Sequence, residues 1–307
     1  MAPQVEAPVD GSQSLRMGIG SLCLVALPLL GSTCSPPEPG ERASLRGGSA
    51  TEEAIDPSDT SRWQDVNLAH FFAGVEGTFV LLDAATGETL VHDADRAATP
   101  FLPASTYKIP HTLIALEAEV ADGPDFSLEW DPETVPAEPW WPEGWTRDQT
   151  LAQAFSGSVV WYYQEVARRI GPEQMESALA RFQYGNGDLS AGLDSFWLNG
   201  AFGISAEEQA FFLQRLLRGD FGLSEKTMAA VKELLLIEEE PGHRLSGKTG
   251  WVGFGDPSAP QVGWFVGYLE SDRGTFIFAL NLDIQSTEDV GRRTGITRDI
   301  LGSLELL

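Results

Sequence analysis

Two of the chain's four lysines lie in short motifs beside hydroxyl residues, an arrangement that serine-based acyl chemistry uses. Ser105 and Lys108 have the spacing S-x-x-K, which places both side chains on one face of a helix. A serine hydroxyl is a weak nucleophile until a base removes its proton. An ordinary lysine is protonated at neutral pH, so the site must desolvate Lys108 or modify it chemically. Taken alone, the motif also fits a helix-capping serine.

Two further motifs follow along the chain. An S-x-V motif begins at Ser158, just before a predicted helix, where the hydroxyl could pass a proton to a leaving nitrogen or simply cap the helix. A K-T-G motif begins at Lys248, where Lys248 and Thr249 could hold an anionic substrate and Gly250 would permit close backbone approach. A turn at a strand end is the alternative interpretation. The ordered set of three motifs indicates acyl transfer.

The elements that would position these residues predict an α/β protein, an α+β sandwich with one central antiparallel sheet. The segments 77–83 and 88–93 flank a turn and predict a β-hairpin, and strands are predicted over 262–270 and 274–284. Helical patterns begin at residues 106, 161, 172 and 206, an amphipathic run covers 226–238, and a final helix covers 293–306. Strands at both chain ends imply a sheet built from both ends with an inserted, mainly helical subdomain over roughly residues 100–240.

Composition excludes several functions. The net charge of -25 and the pI near 4.3 argue against binding nucleic acid through its phosphates. The two cysteines, Cys23 and Cys34, both lie in the N-terminal tail, and the four histidines show no spacing typical of metal ligands. We therefore expect no metal site.

The N-terminal segment has the pattern of an export signal. Arg16 precedes an apolar run over 17–30 that is short for a membrane span but suits a signal peptide. We expect a signal over residues 1–34, a flexible linker over 35–62 and a catalytic domain over 63–307. A cysteine at position 34 predicts a lipid-modified residue that anchors an exported, periplasmic protein to a membrane; ordinary cleavage and an uncleaved anchor helix are the alternatives.

With its motifs in this order, the chain resembles the class D (oxacillinase-type) serine β-lactamases. PASTYKIPHTLIALE (103–117) is similar to the nucleophile segment of that family. Further similar segments follow in family order: WTRD (145–148), SVVWYYQEVARRIG (158–171), YGN (184–186), FWLNG (196–200), KTGW (248–251), WFVGYLE (264–270) and NLDI (281–284). The resemblance covers residue 63 to the C-terminus and implies the fold shared by serine β-lactamases and penicillin-binding proteins.

The resemblance also implies a role for each candidate residue. Ser105 would be acylated by the β-lactam carbonyl, and Lys108, carrying a carbamate derived from CO2, would be the general base for acylation and deacylation. Trp197 would hydrogen-bond that carbamate, and Ser158 would relay a proton to the ring nitrogen. The remaining candidates face the substrate: Lys248, Thr249 and Arg293 for its carboxylate (with Arg292 the alternative), the backbone N–H groups of Ser105 and Trp251 for the oxyanion, and Val160 and Gly250 beside the cleft.

Related protein classes share parts of this pattern. A β-lactam sensor domain stays acylated, and it usually has asparagine in place of Val160 and follows several membrane spans. A penicillin-binding transpeptidase or carboxypeptidase normally has S-x-N, and a non-catalytic surface lipoprotein would not need the complete set. The chain has no S-D-N triplet, which excludes class A β-lactamases. Gly157 stands where class D enzymes carry a larger apolar residue, which would either speed turnover or loosen the packing around the carbamate.

Overall fold

The computed structural model describes residues 62–307, and the predictions for the signal segment, Cys34 and all but the last residue of the linker lie outside them. The strands of this part are β1 (Gly77–Asp83), β2 (Thr89–His92), β3 (Ser127–Leu128), β4 (Gln149–Thr150), β5 (Leu236–Glu240), β6 (His243–Val252), β7 (Val262–Ser271) and β8 (Gly274–Asp283). The α-helices are α1 (Ala94–Ala97), α2 (Lys108–Glu117), α3 (Leu151–Ser156), α4 (Val160–Ile170), α5 (Pro172–Phe182), α6 (Ala206–Arg218), α7 (Glu225–Leu235) and α8 (Thr287–Ser303). Short 3-10 helices cover Ala69–Phe72, Ala104–Tyr107 and Glu143–Trp145.

Six strands form one antiparallel sheet in the order β2-β1-β8-β7-β6-β5. The first strand pairs directly with the last, with Gly77 opposite Leu282 and Asp83 opposite Phe276. The predicted sheet built from both ends of the chain is therefore confirmed, and the helices between those ends form the inserted region. Strands β3 and β4 form a separate two-stranded ladder within that region.

The sheet has an apolar core on each face. Along β1, Val80 and Leu82 pack with the helices of the inserted region, whereas Phe79 and Leu81 pack with α8 and the segment before β1. This alternation follows from the two-residue period of a strand, and both faces are covered, which explains why every residue of β1 is buried. Helix α2 lies deep on the first face, with Lys108 through Ala115 all buried.

Three predictions were wrong, and two of them affect the site. Helix α7 ends at Leu235 rather than Glu238, because Leu236–Glu240 pairs with β6 as the sheet's edge strand. Strand β6 begins at His243, so Lys248 lies inside a strand, and the interpretation of the K-T-G motif as a turn at a strand end is wrong. Helix α8 begins at Thr287, where Ser286 and Asp289 form a capping box, and Arg293 is thus an interior residue of that helix.

No helix within residues 62–307 has both the length and the apolar composition that it would need to span a membrane.

Candidate active site

Ser105 lies on a tight turn between the sheet and the helical region. The 3-10 helix Ala104–Tyr107 continues directly into α2, so Ser105 precedes the helix and Lys108 is its first residue. Ala104 has a φ of 48°, a left-handed conformation that a non-glycine residue adopts only when its surroundings enforce it. Its N–H donates to the carbonyl of Trp197 at 3.0 Å, which fixes the strained residue beside the serine.

Lys108 is fully buried and contacts the serine directly. Its Nζ donates to Ser105 Oγ at 3.2 Å and lies 4.9 Å from the ring centroid of Tyr163. Burial, and then the positive charge of Lys248, lower the pKa of Lys108 well below its ordinary value. Within residues 62–307, no carboxylate lies within ion-pair distance of this amine. The site therefore favours a neutral, basic amine beside the hydroxyl of Ser105.

Ser158 faces the second lysine of the site. It lies two residues before α4, and Val159 occupies the N-cap position without a capping hydrogen bond from its side chain, so the interpretation of Ser158 as a cap is wrong. Instead, Lys248 Nζ donates to Ser158 Oγ at 2.6 Å. Ser158 has a φ of 56°, a second left-handed outlier at this site. Burial, and then the charge of Arg293, lower the pKa of Lys248 to about 7.

Gly250 lets strand β6 approach the turn that carries Ser105. A Cβ at position 250 would lie 2.9 Å from the carbonyl oxygen of Pro103 and 3.1 Å from Thr106 Cγ2. Both distances are too short for a side chain to fit without moving its neighbours. The absence of a side chain at Gly250 therefore allows strand β6 to pack closely against the turn that carries Ser105.

Arg293 reaches the same place from helix α8. Its side chain crosses Gly263, where a Cβ would lie 2.6 Å from Arg293 Cδ, and its Nη1 donates to the carbonyl of Gly250 at 2.6 Å. Burial lowers the pKa of Arg293 to about 10, so the guanidinium remains charged at neutral pH. Arg292 points elsewhere, because its Nη2 donates to the carbonyl of Ala73. Of the two arginines, Arg293 is the one at the site.

These groups border a cleft of about 680 Å³. The candidate residues that line it are Ser105, Ser158, Val160, Thr249, Gly250, Trp251 and Arg293. Two half-exposed aromatic rings, those of Trp140 and Phe254, also line the cleft and meet edge to face with their centroids 5.6 Å apart. The sequence motifs did not identify this aromatic pair; the tryptophan-rich run around Trp140 was the available signal.

Trp197 has an unusual environment for a core tryptophan. It is fully buried and stacks on Tyr107 with the ring centroids 5.3 Å apart, yet its Nε1 has no hydrogen-bond partner among the residues that the structure describes. The ring centroid of Phe155 lies 5.8 Å from Lys248 Nζ.

Gly157 also lines the cleft, and its carbonyl accepts a hydrogen bond from Trp145 Nε1 at 2.9 Å. A Cβ at this position would meet the carbonyl of Gln153 at 2.9 Å, so a larger residue requires a local shift of the chain.

The segment Tyr184-Gly185-Asn186 forms a turn in which Gly185 has a φ of 62°. Across residues 62–307, no three His, Cys, Asp or Glu side chains cluster in a way that could hold a metal ion.

Comparison with known proteins places this arrangement in a family. Residues 77–302 match the family described as the penicillin binding protein transpeptidase domain. The chain is 36% identical to Beta-lactamase OXA-48 of Klebsiella pneumoniae over 248 residues, which cover 80% of this chain and 91% of that protein. It is 35% identical to Probable beta-lactamase YbxI of Bacillus subtilis over 242 residues, covering 79% and 86% of the two chains.

A solved structure shows the same likeness in three dimensions. The crystal structure of the class D β-lactamase YbXI from Nostoc superimposes with a TM-score of 0.74 at 37% sequence identity, covering 79% of this chain and all of that one. A second, the class D β-lactamase BAT-2, gives a TM-score of 0.72 at 34% identity over 81% of this chain and 99% of that one. The fold, the family match and the identity over most of the chain agree, and this protein belongs to the class D serine β-lactamases.

Proposed function

We propose that this protein hydrolyses β-lactam antibiotics through a covalent intermediate on Ser105. The observation that carries the proposal is the hydrogen bond between Lys108 Nζ and Ser105 Oγ, with the amine fully buried. Ser105 Oγ attacks the β-lactam carbonyl, the ring C–N bond breaks, and the ring nitrogen receives a proton. Water then attacks the resulting ester, which releases the opened product and restores the hydroxyl of Ser105.

We also propose that Lys108 is carboxylated by CO2. Two features of its surroundings fit such a group: the lowered pKa of the amine, which favours the neutral form that reacts with CO2, and the Nε1 of Trp197, which has no hydrogen-bond partner within residues 62–307. The carbamate would supply an anionic general base beside Ser105. The contribution of this chain's residues is to keep water out, to hold Ser105 Oγ close to Lys108, and to offer the N–H of Trp197 as a donor.

The remaining site residues fit the binding of a β-lactam carboxylate and the movement of a proton. Lys248, Thr249 and Arg293 bring an amine, a hydroxyl and a guanidinium to one part of the site. The guanidinium is charged at neutral pH, and the amine, with a pKa of about 7, is charged below that pH. Ser158 Oγ accepts a hydrogen bond from Lys248 Nζ and is in place to pass a proton toward the ring nitrogen. The backbone N–H groups of Ser105 and Trp251 are our candidates for the oxyanion hole, and Val160 and Gly250 complete the wall of the cleft.

Export is part of the proposal, and it rests on the sequence. The apolar run over 17–30 and the cysteine at position 34 fit an exported, periplasmic enzyme with a lipid anchor. The mass of the mature protein, compared with that of a Cys34→Ser variant, tests the anchor. A lipid mass lost in the variant is expected, and identical masses without lipid would favour ordinary cleavage.

Mass spectrometry of the intact protein mixed with a penicillin, alongside a hydrolysis assay in bicarbonate buffer, tests the enzyme mechanism. We expect hydrolysis with a transient adduct at Ser105, and neither adduct nor hydrolysis in a Ser105→Ala variant. A permanent adduct without turnover would instead indicate an acylated penicillin-binding or sensor-type protein. The absence of any adduct in the unmodified protein would contradict both functions.

A further inference from the structure

A buried histidine close to Lys108 lacks a hydrogen-bond partner on both ring nitrogens within residues 62–307. His111 is fully buried, and neither its Nδ1 nor its Nε2 hydrogen-bonds to any residue in that part of the chain. Burial, and then the charge of Lys108, lower its pKa to about 3, so the ring is neutral and carries one N–H donor and one acceptor nitrogen. Buried polar groups nearly always find a partner, and an imidazole with two unpaired nitrogens therefore needs an explanation.

The position of His111 connects it to the catalytic lysine. His111 follows Lys108 by three residues on α2, so both side chains project from one face of the helix. Both also contact Tyr163: its ring centroid lies 4.9 Å from Lys108 Nζ and 5.1 Å from the centroid of His111. The imidazole and the Lys108 amine thus share one buried compartment.

Trp197 forms another wall of this compartment. Its ring meets that of His111 edge to face, with centroids 5.2 Å apart, and its Nε1 also lacks a hydrogen-bond partner in the described part of the chain. Two neighbouring aromatic residues therefore hold nitrogens without hydrogen-bond partners among residues 62–307, and one of them, His111, lies on the same helix face as Lys108. Within residues 62–307, no carboxylate lies within ion-pair distance of Lys108, and no acidic side chain there accepts a hydrogen bond from the ring N–H groups of His111 and Trp197.

We propose that His111 is a positioning residue that, together with Trp197, provides the hydrogen-bond donors for the carboxylated side chain of Lys108. This inference rests on the carboxylation of Lys108 proposed above. The neutral amine adds to CO2, a nitrogen–carbon bond forms, and one proton leaves, so that the lysine becomes an anion with two oxygens. An N–H from His111 to one oxygen and the N–H of Trp197 to the other would satisfy both buried donors. Without them the buried anion would lose two donors that offset its desolvation.

The test measures CO2 uptake directly rather than activity. The protein is equilibrated with 13C-labelled bicarbonate and the carbamate signal is followed by 13C NMR as the bicarbonate concentration rises. The variants are His111→Leu, of similar size without a donor, and His111→Gln, of similar size with one. His70→Gln, at an exposed histidine, is the matched control. Thermal unfolding confirms that each variant is folded.

We expect the His111→Leu variant to need a bicarbonate concentration at least about tenfold higher for the same carbamate signal, because one hydrogen bond to an anion is lost. His111→Gln should stay within about threefold of the unmodified protein, and His70→Gln should match it. Equal uptake by folded His111→Leu and the unmodified protein would overturn the role of His111. No carbamate signal in the unmodified protein, at any bicarbonate concentration, would instead overturn the carboxylation itself, and the role of His111 with it.

A second measurement needs no change of the core. In the unmodified protein labelled with 15N-histidine, the ring signal of His111, assigned by its loss in His111→Gln, should shift as the carbamate forms. The other three histidines should not shift. A carbamate signal that grows while the His111 signal stays constant would overturn the inference even if the leucine variant failed to fold.

Discussion

At the residue scale, the two lysines of the site are shifted toward their neutral forms by the same cause. Lys108 and Lys248 are both buried, and each lies near another positive charge: Lys248 for the first and Arg293 for the second. A buried, unpaired lysine destabilises the folded state, because the unfolded chain regains the solvated, protonated amine. The residue required for chemistry is thus expected to lower the stability of the protein.

Lys108→Met tests this cost. Because the folded pKa of Lys108 lies below its unfolded value near 10.4, the unfolded state binds one more proton between those values, and stability rises with pH across that window. In CO2-free buffer at pH 7 to 8 we expect Lys108→Met to melt a few degrees higher, about 2–4 °C per kcal/mol, while hydrolysis falls at least about 10²-fold. Bicarbonate should raise the Tm of the unmodified protein alone. If calorimetry showed the same change in Tm with bicarbonate for Lys108→Met and for the unmodified protein, the prediction would be contradicted.

Lys248 should give substrate affinity its own pH dependence. Its pKa of about 7 means that the amine is charged below pH 7 and loses its proton as the pH rises through that value. We therefore expect the KM for an anionic penicillin to rise above pH 7 by up to about tenfold per pH unit. The rise is smaller where the bound carboxylate keeps the Lys248 amine protonated. Lys248→Arg, which stays charged, should remove the rise. A KM of the unmodified protein that is flat from pH 6 to 9 would show that Lys248 does not bind the carboxylate.

At the element scale, the close packing of strand β6 against the serine turn should depend on one missing side chain. Gly250→Ala places a Cβ 2.9 Å from the carbonyl of Pro103, so the turn must move. We expect a loss of about 1–3 kcal/mol in unfolding free energy and a lower acylation rate, because Ser105 moves with the turn. Gly291→Ala, at a position of α8 with open space, is the control and should stabilise the protein slightly. Equal acylation rates in both variants, measured by rapid mixing with a penicillin, would contradict this role of Gly250.

Local patterns predicted the elements that are stabilised locally. The strands β1 and β2 lie within one residue of their predicted segments, and the helices α4, α5 and α6 begin within one residue of the predicted positions. A capping box at Ser205 fixes the start of α6. Strand β5 was missed because Leu236–Glu240 is a strand only through its pairing with β6, a tertiary contact that overrides propensity. The start of α8 was missed because Gly291 and Gly295 weaken its helical pattern.

The candidate site divides in the same way. Motif spacing predicted Ser105 beside Lys108, and the structure places them in contact. Spacing could not predict that Lys248 hydrogen-bonds to Ser158 or that Arg293 rather than Arg292 reaches the cleft. Nor could it predict that His111 and Trp197 lack hydrogen-bond partners within residues 62–307, because each of these facts depends on segments brought together by the fold.

At the scale of the whole molecule, the site exists only when both ends of the chain have joined the sheet. Ser105 lies on the turn packed against β6, and Arg293 comes from a helix on the opposite face of the sheet. The core on that face includes four buried residues that precede the first strand, and three of them lie before residue 75: Trp63, Leu68 and Phe72. Residues far from the cleft in sequence thus support the helix that supplies a substrate-binding charge.

Two shortened chains test this dependence. A chain that begins at residue 56 keeps Trp63, Leu68 and Phe72, and we expect it to fold and to hydrolyse penicillin at the full rate. A chain that begins at residue 75 loses all three side chains, each worth about 1.5–3 kcal/mol of burial. That sum approaches the whole stability of an ordinary domain, about 5–15 kcal/mol, so the shorter chain should be largely unfolded and inactive. Denaturant titration and the hydrolysis assay measure the two properties together. If the shorter chain were fully active, the cleft and helix α8 would be held by the inserted region alone, and the core on the α8 face would not be needed for catalysis.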